Sequence, residues 1–309
     1  MSEQHTAAGN NIVQTQFEQR RRDVQKAAVL FISGQSNAHA HGQAMKACER
    51  IETPLKNVFS LDRNPNQSFD ITDVVWSGFT TKGKNLGETQ DDTYSFAYFF
   101  AKLWQNAVDR GACLSDLYIV QISIGSQGIV NGMWNPDTEK IMQPGVLGTV
   151  NISLFPWALQ VNQLALRHLS ARGINPFVIG WHWIGSEQDA WEGGFDRADF
   201  LQRYDYFFDS MLQSMGETCS VYLYKLCFQK FCLEANISSR GIDVVNDALQ
   251  RQCKRHDNMV FIETDRCPYW DVNAPHDGIF AADNAHYLPE VQQWFAKRFY
   301  SEIRKKYYQ

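Results

Sequence analysis

The sequence lacks any apolar run long enough to cross a bilayer, because nowhere do about 18 apolar residues follow one another. Its first segment, MSEQHTAAGNNIVQTQFEQRRRDVQKA, also lacks the short apolar core that a secretion signal requires. These two absences argue against a membrane partner and against export. We therefore expect a soluble, cytoplasmic protein.

Long blocks of basic residues are missing as well, and the 29 lysines and arginines are outnumbered by 34 aspartates and glutamates. The net charge of -5 provides no general attraction for the phosphates of a nucleic acid, so we predict no nucleic-acid partner. A short run, Arg20-Arg21-Arg22, lies in a polar extension over residues 1–26 that we predict to be helical. We interpret this run as a solvated face, with a contact between subunits of a homo-oligomer as the alternative.

Metal-binding patterns are also missing. The seven cysteines are irregularly spaced and form no CxxC pair, and the sequence contains no HExxH motif. His39 and His41 lie close together in the chain, but no third ligand has a spacing that suggests a metal site. The sequence therefore predicts no metal, no cofactor, and mostly reduced, buried thiols.

What the sequence does contain is an alternation of apolar runs and amphipathic stretches along nearly its whole length. The apolar runs predict strands at residues 28–33, 117–124, 177–183, 221–228 and 259–263. The amphipathic stretches predict helices at residues 95–109, 153–171, 198–215, 238–255 and 289–308. This alternation is typical of an α/β fold: a three-layer α/β/α sandwich with a central parallel sheet of about five strands, in a single domain over residues 27–309.

A small polar motif follows the first predicted strand, in the stretch VLFISGQSNAHAHG. Ser36 stands at the carboxyl end of that strand, the edge at which parallel sheets bind their ligands. A serine hydroxyl exposed there suits a nucleophile whose attack on a carbonyl creates an oxyanion. The alternative is an ordinary turn in which the serine caps a helix.

A histidine and an aspartate that could activate this serine lie near the other end of the chain. In GIFAADNAHYLPE, Asp283 precedes His286 by three residues, so one loop can present both side chains together. The alternative is that Asp283 caps the last helix and His286 is an ordinary surface histidine. His276-Asp277, slightly upstream, is the rival base pair, and its proline and glycine neighbours indicate a plain turn.

Together these motifs resemble the SGNH hydrolases, and within them the sialate O-acetylesterase-like branch of carbohydrate esterases. That branch has a first block GQSN after a strand and a last block Asp-x-x-His before a C-terminal helix, and both are matched here. The segment ISIGSQGIVNGMWNP resembles its second block, with Gly125 followed by Trp134. The resemblance implies a flavodoxin-like fold and an oxyanion hole that includes the backbone N–H of Ser36 and Gly125.

The third block of the family is altered in this sequence. The family reads Trp-x-Gln-Gly-Glu-x-Asp-Ala, whereas WHWIGSEQDAW places Gly185 where the glutamine donor is expected. A backbone N–H at Gly185, or the side chain of Gln188 or His182, is then the candidate third donor. The alternative is an oxyanion hole with only two donors. Such an enzyme would be slow, since one donor contributes about 3 kcal/mol to stabilising the transition state.

The resemblance implies a serine esterase that hydrolyses O-acetyl or other short acyl esters, with a carbohydrate such as an acetylated sugar or sialic acid as the partner. Ser36 would carry the acyl group, with His286 as base and Asp283 as its orienting carboxylate. A catalytically weak or silent carbohydrate-binding protein and a general short-chain esterase or lipase are the alternatives.

Several further residues are candidates for the substrate pocket. We assign substrate contacts to Gln35, Asn37, Trp134 and Glu187, with loop ordering by hydrogen bonds as the alternative role of Glu187. Tryptophans in polar, loop-like surroundings could stack on a sugar ring, and they include Trp76, Trp191 and Trp270. The long loops at residues 62–93 and 135–151 could shape the pocket.

Overall fold

A computed structural model describes residues 26–41, 43–62, 74–82, 85–88, 91–137, 140–141, 151–192, 196–215 and 219–308. The predicted N-terminal extension lies outside these residues, except for Lys26, which begins the first strand. The strands are β1 (Lys26–Gly34), β2 (Val58–Leu61), β3 (Trp76–Gly78), β4 (Asp116–Ser123), β5 (Lys140–Ile141), β6 (Asn151–Ile152), β7 (Asn175–Ile184), β8 (Val221–Tyr224) and β9 (Met259–Ile262). The helices are α1 (Ser36–His39), α2 (Phe96–Asp109), α3 (Leu154–Ala171), α4 (Glu187–Glu192), α5 (Arg197–Met215), α6 (Gln229–Glu234), α7 (Arg240–Arg255) and α8 (Pro289–Tyr307).

Seven strands form the central sheet, in the order β3-β2-β4-β1-β7-β8-β9. All neighbours pair in parallel except β3, which runs antiparallel to β2 at the edge. The five predicted strands are confirmed, and they lie in the flavodoxin-like order β4-β1-β7-β8-β9. The prediction of about five strands missed β2 and β3, which have only four and three residues.

Helices cover both faces of the sheet, which confirms the three-layer sandwich. Successive side chains of β7 point to opposite faces. On one face His182 contacts Phe299 of α8, with ring centroids 6.0 Å apart. On the other face Trp183 packs against Phe207 of α5 at 4.9 Å. Gly180 lies opposite Phe299, and a Cβ there would come 2.9 Å from the phenyl ring, so this position needs a glycine for close helix packing.

β1 is the centre of the sheet and defines its functional edge. It pairs with β4 on one side and β7 on the other, and its residues from Ala27 to Gly34 are buried. The chain leaves β1 toward one side of the sheet and later returns to the other, which creates a crevice at the carboxyl ends of these strands. Gly34 closes the strand with φ +142°, and a Cβ there would lie 1.6 Å from the carbonyl oxygen of Ile184.

The helix predictions are confirmed at their centres and differ at their ends. Gly111 and Gly173 follow α2 and α3 in the left-handed region, with φ +85° and +77°, as expected of C-terminal glycines. The predicted helix at 238–255 begins two residues later, and the short helices α4 and α6 were not predicted. Among the described residues, no helix combines the length and apolar character that crossing a bilayer requires.

Candidate active site

Three of the four sequence blocks end at neighbouring positions on the carboxyl edge of the sheet. Ser36 follows β1, Gly125 follows β4 and Gly185 follows β7, and these strands are adjacent in the order β4-β1-β7. The Cβ of Ser36 lies 3.8 Å from the place that a Cβ on Gly125 would take. Ser36 is partly exposed, whereas the residues on either side of it are buried. The sheet topology therefore presents this hydroxyl at the ligand-binding edge, next to the predicted oxyanion donor.

Asn37 ties the fourth block to this edge. Its Nδ2 donates to the carbonyl oxygen of Ala285 at 3.0 Å, and its Oδ1 accepts from the backbone N–H of Tyr287 at 3.0 Å. Gln292 of α8 donates to the backbone oxygen of Asn37 at 2.9 Å. The two residues that flank His286 are thus fixed to the residue that follows Ser36. These contacts bring together the two ends of the chain that the motifs singled out.

Asp283 and His286 form one hydrogen-bonded unit. The carboxylate accepts from Nδ1 of His286 at 2.6 Å, and its other oxygen accepts from the backbone N–H groups of Ala285 and His286, both at 3.0 Å. Burial alone would raise the pKa of Asp283, but these bonds outweigh it and lower that pKa below its ordinary value. An ionised Asp283 holds the proton on Nδ1 and leaves Nε2 of His286 as the nitrogen able to accept one.

The predicted substrate contacts of Asn37, Gln35 and Glu187 are corrected, because all three side chains are at most 1% exposed. Asn37 donates to Glu187 at 3.0 Å, in addition to its bonds to the fourth block. The amide oxygen of Gln35 faces the backbone N–H of Gln188 at 3.4 Å. Burial raises the pKa of Glu187, against the opposing effect of its bond from Asn37. These residues brace the loops beneath the site, which was the alternative role given to Glu187.

Trp134 is corrected in the same way, since its indole is fully buried. Its Nε1 donates to the carbonyl oxygen of Gly34 at 3.0 Å, and its ring packs edge-on against Trp183. The loop after Gly125 is therefore anchored directly beneath the end of β1. A tryptophan in a polar stretch of sequence looks alike whether it stacks on a sugar or fixes a loop, so the sequence could not separate these roles.

Two of the three candidates for the third oxyanion donor have side chains that bond other residues. The side-chain amide of Gln188 donates to Glu192 at 2.9 Å, on the outer face of α4. His182 is buried among the aromatic rings of the opposite face, where Nδ1 contacts the hydroxyl of Tyr224 at 2.5 Å. These two predictions are corrected. The backbone of Gly185, at the end of β7, stays a prediction.

Asp189 of the third block stabilises the second block. Its carboxylate accepts from the backbone N–H of Ile129 at 2.9 Å, from that of Val130 at 3.0 Å and from the hydroxyl of Tyr204 at 2.9 Å. Because the group is fully buried, its pKa is raised to about 6, although the three donors oppose this shift. The aspartate that the family pattern marks thus links α4, α5 and the loop that carries Gly125.

Glu88 is a site residue that the sequence did not reveal. Its carboxylate accepts from the backbone N–H of Gly125 at 2.9 Å, so an anionic oxygen already lies against the predicted oxyanion donor. Glu88 belongs to no block of the family pattern and follows no predicted strand. The preceding Gly87 lies so close to β4 that a Cβ there would come 2.0 Å from the carbonyl oxygen of Ser123, and this approach brings Glu88 to the site.

His39 and His41 lie between Glu88 and His286. Nε2 of His39 is 3.9 Å from Glu88, and the ring of His41 lies 5.2 Å from that of His286. Burial is the main cause that lowers the pKa of His39 to about 3, with smaller effects from His41 and His286. His39 is therefore a neutral imidazole in α1, the helix that begins at Ser36.

The rival pair His276-Asp277 is separated in the structure. Nδ1 of His276 contacts the side chain of Asn284 at 2.7 Å, whereas Asp277 pairs with Lys230 at 3.3 Å. Both His276 and Asp277 have positive φ, as expected of the predicted turn.

The remaining tryptophan candidates lie apart from Ser36. Trp76 packs on Tyr118 near the β3 edge of the sheet. Trp191 lines a cavity of about 710 Å³ between α4, α5 and α7, and Trp270 lines one of about 360 Å³ near Lys225. Neither cavity includes Ser36 or His286 among its lining residues. Parts of the two long loops expected to shape the pocket lie outside the described residues.

Comparison with family models gives no match, and comparison with curated proteins gives none either. Among solved structures, the crystal structure of NanS matches with a TM-score of 0.61 and 14% identity, over 91% of this chain and 97% of its own. A protein from Arabidopsis thaliana matches with a TM-score of 0.59 and 12% identity, over 92% of this chain and 99% of its own. A family two carbohydrate esterase from Cellvibrio japonicus, with a TM-score of 0.42 and 11% identity over 91% of this chain and 62% of its own, is too distant to support a conclusion. Likeness at these identities shows the fold alone: the chain shares the fold of NanS and of the Arabidopsis protein.

Proposed function

We propose that the protein is a serine esterase that hydrolyses acetyl or other short acyl esters, with a carbohydrate as the alcohol. The observation that carries this proposal is the double contact of Asn37 with Ala285 and Tyr287. It joins the backbone on both sides of His286 to the residue after Ser36, at the edge of the sheet where ligands bind. The carbohydrate preference rests on the resemblance of the first and last blocks to the sialate O-acetylesterase-like branch.

In the proposed mechanism His286 accepts the proton of Ser36 through Nε2, and the serine oxygen attacks the acyl carbonyl. Asp283, bonded to Nδ1 at 2.6 Å, stabilises the imidazolium that forms. The imidazolium then protonates the departing alcohol, which leaves an acyl group on Ser36. Water activated by His286 releases the carboxylic acid by the same steps in reverse order.

Stabilisation of the oxyanion is assigned to the backbone N–H groups of Ser36 and Gly125, with Gly185 as the further candidate. The bond from Gly125 to Glu88 supports this role, because it indicates that the N–H points toward a position that an anionic oxygen can take. The substrate must displace that carboxylate to use the donor. α1 has only four residues, so its dipole adds little to the stabilisation.

Hydrolysis of a chromogenic acetate ester tests the proposal. We expect measurable turnover by the unmodified protein, its abolition in Ser36→Ala and a loss of about a hundredfold or more in His286→Ala. His276→Ala is the matched control, because it removes the rival histidine, and we expect it to keep most of the activity. Turnover that survives Ser36→Ala would reject the proposed nucleophile.

The same assay addresses a second function, a silent binding protein with this fold. The bond between Glu88 and Gly125, together with glycine in place of the family's glutamine donor, favours that alternative. No turnover by the unmodified protein, combined with retained binding of an acetylated sugar, would support it. Within the enzyme hypothesis, faster hydrolysis of long acyl chains than of acetate would instead indicate a lipase-like esterase.

A further inference from the structure

Three side chains of metal-ligand type meet beside Ser36, although only two of them are close in the sequence. Nε2 of His39 lies 3.9 Å from one oxygen of Glu88, and Nδ1 of His41 lies 4.0 Å from the other. The nitrogen and oxygen atoms that could bind an ion all lie within 4.8 Å of one another. The third ligand missing from the sequence pattern is therefore supplied by the fold.

The hydrogen bonds around His39 indicate which of its ring nitrogens carries the proton. Both the backbone N–H and the hydroxyl of Ser123 contact the side-chain oxygen of Asn85, at 3.0 and 3.1 Å. A backbone N–H can only donate, so this oxygen is an acceptor, and the Ser123 hydroxyl gives its single proton to it. The Ser123 oxygen then accepts from Nδ1 of His39 at 2.9 Å. Nδ1 carries the proton, and Nε2 keeps its lone pair.

That lone pair faces a carboxylate. His39 is 2% exposed, and its Nε2 is buried with no hydrogen-bond partner in the described part of the chain. This nitrogen lies 3.9 Å from Oε2 of Glu88, an acceptor that the N–H of Gly125 already contacts, so the two side chains cannot satisfy each other and the burial of Nε2 without a partner is unfavourable. A cation between them would accept the lone pair of Nε2 and balance the charge of the carboxylate.

We propose that His39, His41 and Glu88 bind a divalent transition-metal ion of the zinc type. Two imidazole nitrogens and a carboxylate are a donor set that suits Zn²⁺ better than Mg²⁺ or Ca²⁺, which prefer oxygen. Bonds of about 2.0–2.2 Å around a tetrahedral ion place its ligand atoms roughly 3.4 Å apart, so each ligand must move inward by about half an ångström. Glu88 and His41 can do this, because their side chains are 28% and 46% exposed. The bond from His39 to Ser123 is the outer support that metal-bound histidines typically have.

Direct binding of metal to the folded protein tests this inference, and it needs no esterase activity. The exposed thiols of Cys48 and Cys113 would bind the same ions, so the titrations are done on a Cys48→Ser, Cys113→Ser background. We expect one equivalent of Zn²⁺ by calorimetry, and with Co²⁺ the intense visible absorption of a four-coordinate ion. A background protein that binds no Zn²⁺ and gives no such absorption would overturn the proposal.

Variants of the ligands provide the second arm. We expect Glu88→Gln, which keeps the shape and removes the charge, and His41→Ala each to weaken Zn²⁺ binding by about tenfold or more and to abolish the Co²⁺ spectrum. His256→Gln is the matched control, because His256 follows α7, away from the site, and its imidazole pairs with Asp209. This variant should bind Zn²⁺ like the parent protein. Circular dichroism confirms that each variant is folded. Ligand variants that bind Zn²⁺ as tightly as the parent would contradict the assignment.

Discussion

At the scale of single residues, Asn37 has the largest set of contacts around the predicted triad. Its side chain bonds Glu187, Ala285 and Tyr287, and its backbone oxygen accepts from Gln292. The first three of these partners are buried, so removing the amide leaves each without that hydrogen bond. A residue that the sequence suggested as a substrate contact thus holds the backbone on both sides of His286.

We predict that Asn37→Ala lowers the free energy of unfolding by about 2–4 kcal/mol, because several buried polar groups lose a partner together. Denaturant unfolding measures this change. In the chromogenic assay kcat should fall by about tenfold or more with little change in KM, because His286 is displaced while the pocket is kept. Asn273→Ala, an exposed asparagine in a turn, is the control and should change neither quantity. A rise in KM with kcat preserved would contradict the positioning role.

Single residues also mark what the sequence could and could not predict of the site. Ser36, Gly125, Asp283 and His286 stand in short motifs whose spacing is readable along the chain. Glu88 cannot be found that way, because its place beside Gly125 results from the close approach of Gly87 to β4.

At the scale of elements, the site depends on how closely β1 and β7 end together. A Cβ on Gly34 would come 1.6 Å from the carbonyl oxygen of Ile184, a backbone atom that cannot rotate away. The same turn directs the carbonyl oxygen of Gly34 toward Trp134 and the backbone N–H of Gln35 toward Ile184. The junction of the two strands therefore fixes the direction in which the chain enters Ser36.

We expect Gly34→Ala to lower the free energy of unfolding by more than about 4 kcal/mol or to prevent folding, because steric overlap adds to the cost of its positive φ. Gly173→Ala is the matched control. Gly173 also has positive φ, but a Cβ there meets nothing within 4 Å, so only about 1 kcal/mol should be lost. Urea unfolding of both variants measures the difference. Equal effects at the two positions would contradict the close contact between the strands.

Elements with a long, regular pattern were predictable, and short ones were not. β1, β4 and β7 are apolar runs of eight to ten residues, and α2, α3 and α8 show helical spacing with a clear end signal. β2 and β3 are too short for any periodicity to appear. β2 forms because β4 offers it a free edge, and β3 forms by pairing with β2, which are tertiary effects.

At the scale of the whole molecule, buried histidines connect folding to pH. Burial lowers the pKa of His182 well below its ordinary value of 6.5, so the folded protein keeps this ring neutral. The unfolded chain takes up a proton there below about pH 6.5. Above about pH 6.5 the ring is neutral in both states and the free energy of unfolding is unaffected by it. As the pH falls below this value, protonation of the unfolded chain lowers the free energy of unfolding progressively. His39 acts in the same direction.

We predict that His182→Gln makes the free energy of unfolding less dependent on pH. Below about pH 6, each proton that only the unfolded chain binds lowers the free energy of unfolding by about 1.4 kcal/mol per pH unit. The variant has no imidazole at position 182, so its unfolded chain binds one proton fewer. Denaturant unfolding between about pH 7.5 and about pH 5 should give a shallower acid slope in the variant than in the wild type, whatever the offset between the curves. Parallel curves would contradict the buried neutral state of His182.

The central claim, that folding places a reactive Ser36 beside His286, is tested most directly by covalent labelling with a fluorophosphonate followed by peptide mass spectrometry. The label reports the activated hydroxyl itself and does not require knowledge of the natural substrate. We predict a single adduct on the peptide that contains Ser36, absent in Ser36→Ala and strongly reduced in His286→Ala. An adduct on another residue, or ester hydrolysis by a protein whose Ser36 stays unlabelled, would contradict the account.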